Sequence, residues 1–139
     1  MIQLIVGNEG KGKTKEMLER VNSEIKEASG NIVYLDKNTK HMYELNNKIR
    51  LVSVSDFSFS NSDEFYGFVC GIISQDHDLE QLYFDNFKRL ACIENDALEA
   101  VLTKFNRLSD EKNIRFCISI SASADDIPAA FKEQIIVSL

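Results

Sequence analysis

The residues with the clearest chemical potential lie together near the start of the chain. Gly7-Asn8-Glu9-Gly10-Lys11-Gly12-Lys13-Thr14 reads G-x-x-x-x-G-K-[ST] at every fixed position. Each fixed residue has a physical task. Glycines free the backbone to turn its N–H groups inward around phosphate oxygens. Lys13 would bring a point charge to the β- and γ-phosphates, and Thr14 a hydroxyl to Mg²⁺. A helix starting here would add unpaired N–H groups and the positive end of its dipole. Gly7–Thr14 is therefore expected to hold a nucleoside triphosphate, against the plainer alternative of a glycine turn without a ligand. Lys11 either adds charge beside the phosphates or points to solvent.

A second group supplies what such a loop needs. Leu82-Tyr83-Phe84-Asp85 is an apolar run closed by a carboxylate, which could hold Mg²⁺ through water with Thr14 as the direct ligand. Aspartate also ends strands for turn reasons alone. Asn86 follows where many P-loop ATPases carry a glutamate that polarises water. An amide is a poor base, so slow hydrolysis is expected. Asp36 closes another apolar run and is the alternative base, or simply a solvated strand terminus. Ser119 and Ser121 fall at the tip of the strand after the Asp85 strand. Ser121 is the preferred γ-phosphate sensor, and capping of the turn before Asp125 is the competing role. The candidate catalytic set is Lys13, Asp85, Asn86 and Ser121. No Asn-Lys-x-Asp segment is present to read guanine, so ATP with Mg²⁺ is the expected cofactor pair.

The elements that must position these groups follow from hydrophobic pattern. Ile2–Val6 reads as a buried strand leading into the loop. Thr14–Ala28 reads as a helix whose apolar stripe is Met17, Leu18, Val21, Ile25 and Ala28, with Gly30 as its stop. Asn31–Asp36 is a second strand and Ile49–Val54 a third, with a helical turn around His41–Leu45 between them. Asn61 with Glu64 three positions on marks a helix start. Phe65, Phe68, Val69, Ile72 and Ile73 follow at helical spacing, and Gly67 and Gly71 would let that helix approach a neighbour. Leu79–Phe84 is a strand. Asn95–Leu108 is a helix with Leu98, Val101, Leu102, Phe105 and Leu108 as its core face. Ile114–Ile120 is the last clear strand, Asp125-Asp126 before Pro128 a helix-start pattern, and Ile135–Leu139 a short edge strand. Strands alternating with amphipathic helices predict an α/β fold: a three-layer P-loop NTPase domain with a five- to six-stranded, mostly parallel sheet.

Composition bounds the rest. The chain has 139 residues, 44% apolar and 27% charged, which fits one globular domain over residues 1–139. A net charge of −6 makes it a poor nonspecific binder of nucleic acid or anionic membrane. Cys70, Cys92 and Cys117 form no C-x-x-C pair and each sits in an apolar run, so all read as reduced, buried thiols. His41 and His77 lack metal-ligand spacing. The apolar start ends at Gly7, too short for a signal peptide or a membrane span, and a cytoplasmic location is expected.

LIVGNEGKGKT, GNIVYLDK, MYELNNKIRLVSVSDF, FYGFVCGII and FCISIS together resemble a group of short P-loop ATP-binding proteins of Gram-positive bacteria. Some of that group carry a twitching-motility label borrowed from pilus-retraction ATPases, which are far longer and have an additional N-terminal domain. The resemblance covers nearly the whole chain and implies ATP binding. It departs at Asp85-Asn86-Phe87, where the group tends to read Asp-Gly-Phe, and at Lys11, where a small residue is usual.

Three functions remain open from sequence: an ATP-binding protein with slow or partner-dependent hydrolysis, a small-molecule or nucleoside kinase, and a non-enzymatic interaction domain holding nucleotide structurally. An unknown protein partner or a second copy of the chain could supply an arginine. Arg50, Arg89, Arg107 and Arg115 are not ranked by sequence.

Overall fold

A computed structural model describes residues 1–94 and 97–139. Six strands form one sheet in the order β3-β2-β4-β5-β1-β6, and every pairing is parallel. The strands are β1 Ile2–Gly7, β2 Asn31–Asp36, β3 Arg50–Ser53, β4 Leu79–Phe84, β5 Arg115–Ser121 and β6 Ile135–Ser138. Helices α1 Lys13–Glu27, α2 Ser62–Ser74, α3 Phe87–Leu90 and α4 Leu98–Lys112 connect them. The expected helix start at Asn95 lies outside the described residues.

Strand pleating sorts side chains onto two faces. Ile5, Ile32, Tyr34, Tyr83 and Cys117 pack with Met17, Leu18 and Val21 of α1. Leu4, Leu35, Leu82, Phe84 and Phe116 pack on the other face with Phe65 and Val69 of α2 and Leu102 and Phe105 of α4. That second core is strongly aromatic: Phe87 and Phe105 meet edge to face at 5.0 Å, and Phe84 and Phe116 at 5.2 Å. The three layers are thus α1, the sheet, and α2 with α4.

Where local chemistry was explicit, it set the element boundaries. Asn61 Oδ1 accepts the Glu64 N–H at 2.9 Å, and the Glu64 carboxylate accepts the Ser60 N–H at 2.5 Å. Three expectations need correction. Gly30 does not end α1 in a left-handed turn; Ala28 closes it in extended conformation. Glycine is needed at position 30 because an added Cβ would lie 2.4 Å from the Asp78 carbonyl oxygen, where the chain enters β2 and Asn31 N–H bonds that same carbonyl at 2.7 Å. Gly67 and Gly71 face open space, with nothing near a Cβ built at either, because the apolar stripe of α2 turns them outward. Of the cysteines only Cys117 is buried; Cys70 is half-buried, and Cys92 is exposed in a left-handed turn at φ 55°.

Gly30→Ala should push two backbones apart and cost about 1–3 kcal/mol. Thermal unfolding should then fall by several degrees. An unchanged Tm would show that the β2 entrance yields freely.

Candidate functional site

Strand order creates the site. β5 lies between β4 and β1, so the loop leaving β1, the tip of β5 and the end of β4 share one edge of the sheet. Gly7 pairs with Ser121 in register, and Phe84 with Ile118. The loop from Gly7 needs glycine for two different reasons. Gly10 and Gly12 sit at φ +80° and +96°, in the left-handed region. Gly7 instead packs against the chain end, where a Cβ would meet Leu139 Cβ at 3.0 Å. Gly12 caps α1 without any side-chain bond, so the first-turn N–H groups of Lys13, Thr14 and Lys15 have no carbonyl of their own helix to reach.

Lys13 is 8% exposed, and its ammonium donates to the Asn8 carbonyl at 3.1 Å. That uses one of three N–H donors. Burial pulls its pKa below the usual lysine value, while the Glu9 and Asp85 carboxylates hold it up. Thr14 Oγ1 donates to Asp85 Oδ1 at 3.2 Å, joining the helix start to the end of β4.

Asp85 is 5% exposed, and a buried carboxylate must be satisfied by donors. Three hydroxyls supply them. Besides Thr14, Ser119 Oγ lies 3.2 Å from Oδ1 and the Tyr34 hydroxyl donates to Oδ2 at 2.9 Å. Ser119 Oγ also accepts the Asn86 N–H at 2.7 Å. Burial, and after it the Asp85 charge, raise the Tyr34 pKa well above the ordinary tyrosine value, so Tyr34 acts as a donor throughout the physiological range. Asn86 sits at φ 64°, a left-handed conformation that asparagine tolerates, and leads into α3.

These groups surround a cavity of about 580 Å³. Its lining comes from Gly10, Gly12, Lys13 and Thr14 of the loop and helix start, Asp85 and Asn86 after β4, Ser121 at the tip of β5, Lys37 after β2 and Arg89 of α3. Glu9 borders it too. Asn8 borders an adjoining space with Ile93, and Lys11 is exposed and on the wall of neither. The structure therefore brings together Lys13, Thr14, Asp85, Asn86 and Ser121. It separates the two serines by role: Ser119 holds the carboxylate, and Ser121 faces the cavity. Of Arg50, Arg89, Arg107 and Arg115 only Arg89 reaches the cavity; Arg50 pairs with Asp76 and Arg115 with Glu24. A cleft of about 570 Å³ between α2 and α4 lies near the strand starts Leu79 and Ile114, away from all of these groups.

Tyr34, Lys37 and Arg89 were not singled out for the site by sequence. Tyr34 reads as one more apolar residue in an all-buried strand, and Lys37 and Arg89 lie on segments without periodicity.

Asp36 departs from expectation as a solvated terminus. It is 5% exposed. Oδ1 accepts the Lys37 N–H at 2.7 Å, while Oδ2 is buried without a partner. Burial first, and the Asp85 charge second, raise its pKa above the ordinary aspartate value.

Among the described residues no group of three or more His, Cys, Asp or Glu could cage a metal. A hydroxyl and a single carboxylate side by side fit Mg²⁺ in its usual protein mode, in which one or two carboxylates, phosphate oxygens and retained waters complete the shell. No protein-family model matches the chain, and no curated protein matches it. No helix among the described residues is long and apolar enough to cross a membrane.

Because the folded pKa of Asp36 lies above its unfolded value, ionising it works against folding. Stability linked to this group is complete below the unfolded pKa and is lost as pH rises through the folded one. Asp36→Asn keeps the acceptor for Lys37 N–H and should raise Tm at neutral pH in metal-free buffer, with the gap closing toward pH 3.5. A stability gain independent of pH would contradict this reading.

Proposed function

We propose that the chain is a P-loop protein that binds Mg-ATP in the cavity at Gly7–Thr14 and hydrolyses it slowly or only with a partner. The observation that carries this reading is the Thr14–Asp85 hydrogen bond beside the buried Lys13. It joins a left-handed glycine loop, a helix start and a strand-end carboxylate around one cavity. A volume of about 580 Å³ falls in the range typical of small-molecule sites. The lining carries three cations, Lys13, Lys37 and Arg89, against the two carboxylates Glu9 and Asp85, which suits a polyanion bound with a divalent cation.

On this reading the N–H groups at the start of α1 and the Lys13 ammonium bind phosphate oxygens. Thr14 and Asp85 would hold Mg²⁺, which would supply charge neutralisation to the bound phosphates. Tyr34 and Ser119 keep the Asp85 carboxylate oriented, and Ser121 and Arg89 face the space where the terminal phosphate would lie. Asn86 provides no proton acceptor for an attacking water. A positioned general base contributes roughly a hundredfold to ten-thousandfold in rate, so its lack supports slow turnover. Asp36 is not on the cavity wall.

Adenine is the default base, because no Asn-Lys-x-Asp segment is present to read guanine. The test is calorimetric. The wild type should bind Mg-ATP and gain several degrees in Tm at saturation, since ligand at 100 times Kd adds about 2.7 kcal/mol. Lys13→Ala should lose both effects, and wild-type phosphate release in the same samples should stay far below the enzyme median of ~10 s⁻¹. Equal ATP affinity in both proteins would overturn the proposal.

A further inference from the structure

Beside the phosphate cavity lies a second one of about 340 Å³. It opens where β2 and β3 end and is closed by the turn after α3. Its apolar surface comes from Val54, Phe57, Phe59 and Leu90, and its two cations are Lys37 and Arg89. Those same two residues border the phosphate cavity, so the spaces share a basic partition. Neither side chain has an ion-pair partner among the described residues.

The aromatic wall is built rather than incidental. Phe57 and Phe59 each meet the ring of Phe68 at 5.0 Å, and Phe59 meets Phe65 edge to face at 5.6 Å. Yet Phe57 remains 53% exposed, a cost in apolar surface that its neighbours do not remove. Cys92 closes the far side. Its left-handed backbone, at φ 55°, directs the thiol to the Phe59 carbonyl, with Sγ 3.7 Å from that oxygen.

We propose that this cavity is a second binding site, for a small molecule that has a planar aromatic body and an anionic group. The ring system would lie against Phe57 and Phe59, and the anion between Lys37 and Arg89. Three features define that class: an aromatic surface that favours flat partners, two neighbouring cations without an ion-pair partner among the described residues, which favour an anion, and a volume at the small end of ligand pockets. The position against the phosphate cavity puts the anionic end of this ligand next to the bound nucleotide's terminal phosphate if the nucleotide reading holds. The second site itself needs only its own residues.

The probe is 8-anilinonaphthalene-1-sulfonate, which carries a flat naphthalene ring, to be set against Phe57 and Phe59, and one sulfonate anion. Its fluorescence is titrated against the folded chain without nucleotide. Binding should saturate at one site, and Arg89→Ala and Phe57→Ser should each weaken it about tenfold. Both replaced side chains are exposed, so both variants should fold. Lys13→Ala should bind the probe as the wild type does, which separates failure of this site from failure of the nucleotide site. Saturating probe should also slow alkylation of Cys92 by iodoacetamide, located by peptide mass, while leaving Cys70 unaffected. Unchanged affinity in both Arg89→Ala and Phe57→Ser, or Cys92 alkylation at the same rate with and without probe, would overturn the proposal.

Discussion

The carboxylate of Asp85 is the point on which the working end of the molecule depends. It is buried, so its charge must be met by donors, and the donors come from three separate elements: Thr14 from the start of α1, Tyr34 from β2 and Ser119 from β5. The Asp85 N–H adds a bond to the Leu35 carbonyl at 3.0 Å. One aspartate thereby locks the ends of three neighbouring strands to the helix that carries the glycine loop. Removing any donor would leave a buried acceptor short of a partner, at a cost of about 1–3 kcal/mol.

Much of the consequence is topological. A parallel sheet requires that each strand be followed by a crossover, so all strand C-termini gather at one edge. With β5 inserted between β4 and β1, the loop after β1 and the carboxylate after β4 flank a strand whose tip carries Ser119 and Ser121. The same edge collects Asp36 and Lys37 from β2 and Val54 with Ser55 after β3. Two aspartates are buried at adjacent strand ends, and burial first, with the Asp85 charge second, raises the pKa of Asp36. The cations Lys13, Lys37 and Arg89 stand around that concentration of negative charge and leave a basic-walled cavity in an otherwise acidic protein.

The sequence made the strands legible because each is a short apolar run bounded by a turn signal, and β2 and β4 occur over the very residues their patterns mark. The glycine loop was legible because its fixed positions carry distinct tasks, and Gly10 and Gly12 do hold positive φ. Other features were hidden for physical reasons. A tyrosine in a strand buried on both faces contributes no break in pattern, so the hydroxyl of Tyr34 could not be told from packing. Serines two residues apart on β5 share one face of the sheet, and pattern alone could not say which of them reaches Asp85; Ser119 does, while Ser121, further along the strand, lines the cavity. Gly30 looked like a helix stop, but its constraint is a backbone contact 48 residues away in sequence, at Asp78. Arg89 became distinguishable from the other arginines only once α3 placed it on the cavity wall.

On the proposed reading, Thr14 and Asp85 act together on one Mg²⁺ beside bound phosphates. The most direct measurement is a double-mutant cycle on ATP affinity, with Thr14→Val and Asp85→Asn made singly and together and each titrated with and without Mg²⁺. Groups that share one ligand lose their effects non-additively. Each single change should weaken binding in Mg²⁺, the double variant should be little worse than the poorer single one, and all four proteins should bind metal-free ATP alike, as the proposed reading requires. Additive losses, or affinities that ignore Mg²⁺ altogether, would contradict it.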